Sequence, residues 1–148
     1  MARHYLAQQE IEVMRLTTRG RYGTRLVLDI AQHQDRGPVS VSHIAKRQDI
    51  SIKYLEGLIW ELKKAGFIES VRGARGGHLL TKNPKEITVA EIVTVLERNN
   101  HLTECDLKDK PCPRSTHCPT RHLWKDVEKI VKEKLSSVTI YDLLQQSC

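Results

Sequence analysis

A chain of 148 residues, 39% of them hydrophobic and with a net charge of +6, is about one domain long and can bury a small core. No apolar run approaches the roughly 20 residues needed to span a bilayer, and the opening stretch from Met1 to Glu10 is too polar for a secretory signal. These features predict a soluble protein of the cytoplasm rather than a membrane-embedded or exported one.

Residues 1–13 read as an N-terminal extension, and Met14-Arg15-Leu16-Thr17 forms a second possible translation start. A first helix is predicted from about Thr18 to Gln34, because Tyr22, Leu26, Val27, Ile30 and Ala31 share one face; Gly37-Pro38 ends it. A short helix over about Ser42 to Gln48 is followed by a tight turn at Asp49-Ile50-Ser51. Ser51 caps a third helix, Ile52 to Ala65, whose Leu55, Leu58, Ile59 and Leu62 keep the helical rhythm up to a stop at Gly66. Ile50 and Leu55 are placed to staple its start. A short helix, a turn and a capped amphipathic helix make a helix-turn-helix pattern.

Phe67 to Arg72 alternates like a strand, Gly73-Ala74-Arg75-Gly76-Gly77 turns, and His78-Leu79-Leu80 returns. This predicts a β-hairpin behind the third helix, which is a wing. Thr88-Val89-Ala90-Glu91 is a capping box opening a helix with Val89, Ile92, Val93 and Leu96 inside. Residues 98–117 look irregular, and a loop that long inside a small domain is usually functional. From about Pro119 to Leu135 a long helix carries the stripe Leu123, Trp124, Val127, Ile130, Val131 and Leu135. Nothing left in the chain is large enough to cover that stripe, so a second copy is expected and the protein should be a homodimer. A last element, capped by Thr139 with Asp142 three residues on, docks back through Ile140, Leu143 and Leu144. The fold class is therefore mainly α with a small β-hairpin: a winged helix-turn-helix domain over 14–85, then a cysteine loop and dimerisation helix over 86–148.

Charge is unevenly placed. Residues 14–85 hold 14 Lys/Arg against 6 Asp/Glu, a net +8, whereas 86–148 hold 9 against 10. A basic half is the footprint of a polyanion or simply a basic solvated surface; with the helix-turn-helix pattern it points to double-stranded DNA. A winged helix places the start of its recognition helix in the major groove. There Ser51, Lys53, Tyr54, Glu56 and Gly57 are exposed candidates, with Lys53 suited to guanine or phosphate and Glu56 to a cytosine amine. Arg72 and Arg75 flank the wing glycines Gly73 and Gly76 and suit a narrow minor groove. Arg15, Arg19, Arg21 and Arg25 cluster at the first helix and read as backbone contacts. An ordinary solvated surface is the competing reading for each of these residues. There is no glycine-rich nucleotide loop behind a parallel strand and no clear acid–base set, so an enzyme is not expected.

Cys105, Cys112 and Cys118 lie within 14 residues at spacing C-x6-C-x5-C. Three thiolates in one loop can converge on a soft metal, although these are not zinc-ribbon knuckles. An iron–sulfur cluster, zinc, redox-active thiols and unrelated surface residues all remain open on spacing alone. His122, His117 and His101 are the candidates for a fourth ligand. Cys148 lies far from the set.

Four stretches carry a resemblance: Met14 to Tyr22, Ile50 to Glu56, Ser70 to Leu80 and Cys118 to Trp124. They resemble the winged-helix regulators that include IscR, NsrR, RirA and CymR, over about Met14 to Leu144. The resemblance implies a dimer joined by the long helix, and DNA binding through Ser51–Ala65 and the wing at Arg72–Gly77. In the cluster-binding members it also implies an iron–sulfur cluster on Cys105, Cys112 and Cys118. IscR-like proteins have a histidine where this chain has Arg121, with His122 one step on. NsrR-like proteins use an aspartate where it has Arg21. The fourth ligand, and with it the choice of 2Fe–2S or 4Fe–4S, stays open at this point.

Overall fold

Capping decides where each helix starts. In the computed structural model, which describes residues 16–97, 102–103, 105 and 112–146, the Thr17 hydroxyl accepts from the Arg19 amide at 3.2 Å and opens α1 (Thr18–His33). Leu26, Val27 and Ile30 are fully buried on its inner face, as the periodicity requires. The expectation of a helix to Gln34 is met by a 3-10 turn over Gln34–Arg36, which ends on Gly37 at φ 111°. Ser40 accepts from the His43 amide at 3.3 Å, so α2 (Val41–Gln48) begins one residue earlier than predicted. Asp29 of α1 is buried, and Arg47 and Gln48 of α2 bond to its carboxylate, pinning the two helices together.

Asp49, in the left-handed region at φ 53°, makes the turn into α3 (Ile52–Lys64). Ser51 caps α3 by accepting from the Tyr54 amide at 3.2 Å, and Leu55, Leu58, Ile59 and Leu62 are buried. Gly66 takes φ 84°, which lets the Gly66 amide reach Lys63 O at 2.9 Å and the Phe67 amide reach Leu62 O at 2.8 Å. That closes the helix in the manner expected of a C-terminal glycine.

The hairpin is β1 (Ile68–Val71) paired antiparallel with β2 (Gly77–Leu80), from Ile68↔Leu80 to Val71↔Gly77. A third short contact was not predicted. Val39 and His78 exchange both backbone hydrogen bonds, at 2.9 and 2.8 Å, tying the hairpin to the segment before α2. Gly77 makes this approach possible, since a Cβ there would stand 2.6 Å from the Val39 carbonyl.

The helix α4 (Val89–Leu96) opens with the predicted Thr88–Glu91 capping box and crosses α1 closely. A Cβ on Gly23 would lie 1.9 Å from Leu96 Cδ1, so a larger residue at the crossing would force the buried Leu96 side chain to move. The last two helices are α5 (Arg121–Ser136) and α6 (Ile140–Gln145). In α6 the Thr139–Asp142 box is present and Ile140 is fully buried. The Ile140 amide donates to Ile87 O at 2.9 Å, so this element does dock on the body. No side chain of α5 is buried. Val131 and Leu135 rest on Val89 and Val93, while Leu123 and Ile130 stand 54% and 64% exposed. The described residues are thus mainly helical with one two-stranded hairpin. Among the described residues no helix is long and apolar enough to cross a membrane.

Candidate DNA interface and cysteine segment

The buried stripe of α3 fixes which side chains face outward. Opposite Leu55, Leu58 and Leu62 lie Lys53, Gly57, Trp60 and Lys64, all exposed, with Glu56 beside them. Lys53 and Glu56 make no ion pair with any described residue, so both present their charge to solvent. Ser51 is exposed, with its hydroxyl engaged in the cap. Tyr54 is placed differently: it is half-buried, its ring meets Tyr22 edge-on at 5.9 Å, and its hydroxyl lies 3.3 Å from Thr18 Oγ1. It fastens α3 to α1 and leaves only its rim outside.

The hairpin lies alongside α3. His78 feels both Lys63 and Glu56 of that helix; burial first, then Lys63, lower its pKa, with Glu56 opposing. Its Nδ1 is 3.1 Å from Ser70 Oγ across the strands. At the tip, Arg72, Gly73 and Arg75 are exposed. Gly73 turns at φ 117°, and a Cβ on Gly76 would meet Val71 O at 2.3 Å. The two arginines are therefore carried on a tight turn.

The cluster at the start of α1 separates into different tasks. Arg21 is exposed. Arg19 donates from Nε to Leu96 O at 2.9 Å and pairs through Nη2 with Glu61 of α3. Its guanidinium is engaged within the fold, with 28% of the side chain left exposed. Arg25 is likewise engaged, with Nε on Gln48 Oε1 at 3.0 Å and the guanidinium over the Tyr22 ring. Arg15 lies outside the described residues.

Next to Arg19 sits Glu97, buried although charged. Its Oε1 accepts from the Thr17 amide at 2.8 Å, the Thr17 hydroxyl at 2.9 Å and the Gly20 amide at 3.1 Å. A carboxylate there completes the α1 N-terminus, where unpaired amides and the positive dipole end favour an anion. Glu97 is also the last described residue before the cysteine segment. The foot of that segment is thereby bonded to α1 and, through Arg19, to α3.

Cys105, Cys112 and Cys118 are free thiols of intermediate exposure. Among the described residues no three His, Cys, Asp or Glu side chains are grouped closely enough to hold a metal ion. Cys118 Sγ lies 3.2 Å from Thr120 Oγ1, and this contact, aided by Arg114, holds the thiol below its ordinary pKa. His122 is exposed on the first turn of α5, while Arg121 reaches back to Ser115 O at 2.9 Å. His117 is exposed, and His101 lies outside the described residues. The donor set suits a soft metal by its chemistry.

Residues 16–146 match the Rrf2 family, described as iron-dependent transcriptional regulators. The chain belongs to the Rrf2 family. It is 46% identical to protein rrf2 of Nitratidesulfovibrio vulgaris over 90% of this chain and 89% of that one. Among solved structures it is similar to T. potens IscR, with a TM-score of 0.72 and 38% identity over 91% of this chain and 93% of that chain. It is similar also to CymR (YrzC), the global cysteine regulator of B. subtilis, with a TM-score of 0.76 and 35% identity over 92% and 100% of the two chains. This Rrf2-family chain is a transcriptional regulator and not an enzyme, and the family's task implies DNA binding.

For this Rrf2-family regulator, sequence reasoning missed Trp60 and Lys64 on the outward stripe of α3, although both follow Lys53 at helical spacing. It also missed Glu97, whose partners lie about 80 residues away in sequence.

Proposed function

We propose that two copies of this regulator bind one operator duplex, and that the state of Cys105, Cys112 and Cys118 sets the affinity. Lys53 and Glu56 of α3 face the major groove, and Arg72 and Arg75 of the wing take the flanking backbone or minor groove. Ser51, Tyr54 and Arg21 take phosphates at the edge of that surface, and Gly73 and Gly76 shape the wing tip. The exposed stripe of α5 at Leu123, Trp124 and Ile130 packs on its copy in a partner chain. The three cysteines, with His122 a candidate fourth ligand, would hold an iron–sulfur cluster, which when bound supplies a redox- and iron-sensitive constraint on the loop. The observation that carries this reading is the bonded route from the loop's foot. Glu97 caps α1, the Leu96 carbonyl holds Arg19, and Arg19 holds Glu61 on the recognition helix.

Anaerobic reconstitution with iron and sulfide, followed by absorbance, iron counting and duplex affinity, tests it. Coloured protein with altered affinity is expected, and colourless protein rejects the cluster. A second reading keeps the DNA role and uses the cysteines as redox thiols without iron. The half-exposed free thiols favour it, as does the likeness to CymR, a cysteine regulator. Affinity that answers to peroxide in iron-free protein selects this reading over the first.

A further inference from the structure

Gly57 is out of place by the rules that govern the rest of the fold. It sits inside α3, where glycine destabilises a helix relative to alanine because it has more backbone freedom to lose. The usual reasons for a glycine do not hold at this position. Its φ is not positive, unlike those of Gly37, Gly66 and Gly73. Nor does a neighbour crowd it: among the described residues a Cβ built on Gly57 meets nothing within 4 Å, whereas one on Gly23 or Gly77 would collide. Nothing among the described residues requires a glycine here.

The surroundings of Gly57 suggest what does. It lies mid-way along the outward stripe, with Lys53 one turn before it and Trp60 one turn after, and Lys64 Nζ sits 5.1 Å from the centre of the Trp60 ring. The result is a bare notch of backbone between positively charged ends, in the second turn of the helix that the family's fold presents to DNA. The apolar surface expected to meet a second copy is on α5 instead, so a partner chain does not account for the notch.

We infer that Gly57 is a specificity-determining position at which base edges of the major groove come into van der Waals contact with the α3 backbone. This rests on the DNA-binding reading above. A side chain here would hold the helix away from the groove floor. Without one, the helix seats at full depth and the groups flanking the notch, Lys53 and Glu56, reach the bases. Non-specific binding depends on phosphate charge and not on seating depth, so it should not respond to the change.

The test uses protein purified without oxygen. Wild-type protein selects binding sequences from a library of random duplexes. Wild-type and Gly57→Ala proteins are then compared on a selected duplex and on a scrambled one. The expected result is a Tm raised by about 3 °C, since alanine favours the helix, with affinity for the selected duplex lowered about tenfold or more and affinity for the scrambled duplex unchanged. Unchanged or tighter binding of the selected duplex overturns the inference, as does an equal loss on both duplexes. A lowered Tm overturns it too, because the fold itself would then need the glycine. If wild-type protein selects no duplex at all, the DNA-binding reading falls with it, a result distinct from selection followed by an indifferent variant.

Discussion

Arg19 donates from its Nε to the backbone carbonyl of Leu96 at 2.9 Å, joining residues 77 positions apart. The other arm of the same guanidinium pairs with Glu61. Arg19→Leu should therefore lose two kinds of behaviour at once. About 1–2 kcal/mol of unfolding free energy should go, as for a charge-assisted bond less than one-third exposed. The ratio of duplex affinities between reconstituted and metal-stripped protein should also shrink toward one. Urea titrations and anisotropy measurements with labelled duplex read the two effects, and an unaltered ratio removes Arg19 from the coupling route.

Lys53→Ala and Arg72→Ala should each weaken duplex binding and flatten the salt dependence by about one unit in the slope of log K against log salt. Both side chains are exposed and unpaired with any described residue, so neither change should alter the melting temperature. Full salt slopes in both variants would place the binding face elsewhere.

Removing the buried carboxylate between α1 and α2 should be felt in stability alone. Asp29→Asn weakens two bonds from Arg47 and one from Gln48. Arg47 is 34% exposed and can turn to water, which spares the fold an orphaned buried cation. A loss of about 2 kcal/mol follows, measurable by chemical denaturation. A variant as stable as wild type would show that packing alone holds the two helices.

Much of this architecture could be read along the chain, because its cues are local. Thr88 with Glu91, Thr139 with Asp142, Ser51 before an amphipathic run and Gly66 after it each act within four residues of themselves. The features that escaped are long-range. Glu97 gives no sign in sequence that it will cap a helix beginning at Thr18, and Arg19 looks like any surface arginine until Glu61 and Leu96 are folded beside it. The lone pairing of Val39 with His78 has no strand signature on the Val39 side. For the cysteines, spacing establishes the chemistry of the donor set and leaves its convergence open.

The uncovered stripe of α5 leads to a prediction about assembly. Ile130 is 64% exposed in the single chain, so Ile130→Glu should fold with unchanged helix content. Sedimentation should show the wild-type chain as a dimer and the variant as a monomer at micromolar concentration. A variant that stays dimeric would move the interface off this face.

The pKa of His78 is depressed by burial and by Lys63, and Glu56 only partly offsets this. The native ring thus resists protonation while the unfolded chain takes up its proton at the ordinary histidine pKa of about 6.5. The stabilisation is complete above that value and is lost as pH falls through it toward the lower native pKa. Melting temperatures from pH 8 to 5.5 should accordingly fall less steeply for His78→Gln than for wild type. Parallel curves would show that other groups cause the acid loss.

His78 is bonded to Ser70 in β1 and held by Val39 from outside the hairpin, so any swing of the wing has to break the Val39 pairing. It travels with the recognition helix as the second jaw of a caliper. On the proposed DNA-binding reading, a duplex that widens or narrows away from that opening strains the Val39 pairing before it can be followed within one subunit. In the proposed dimer, tolerance for irregular binding sites would then come from how two such calipers are set relative to each other.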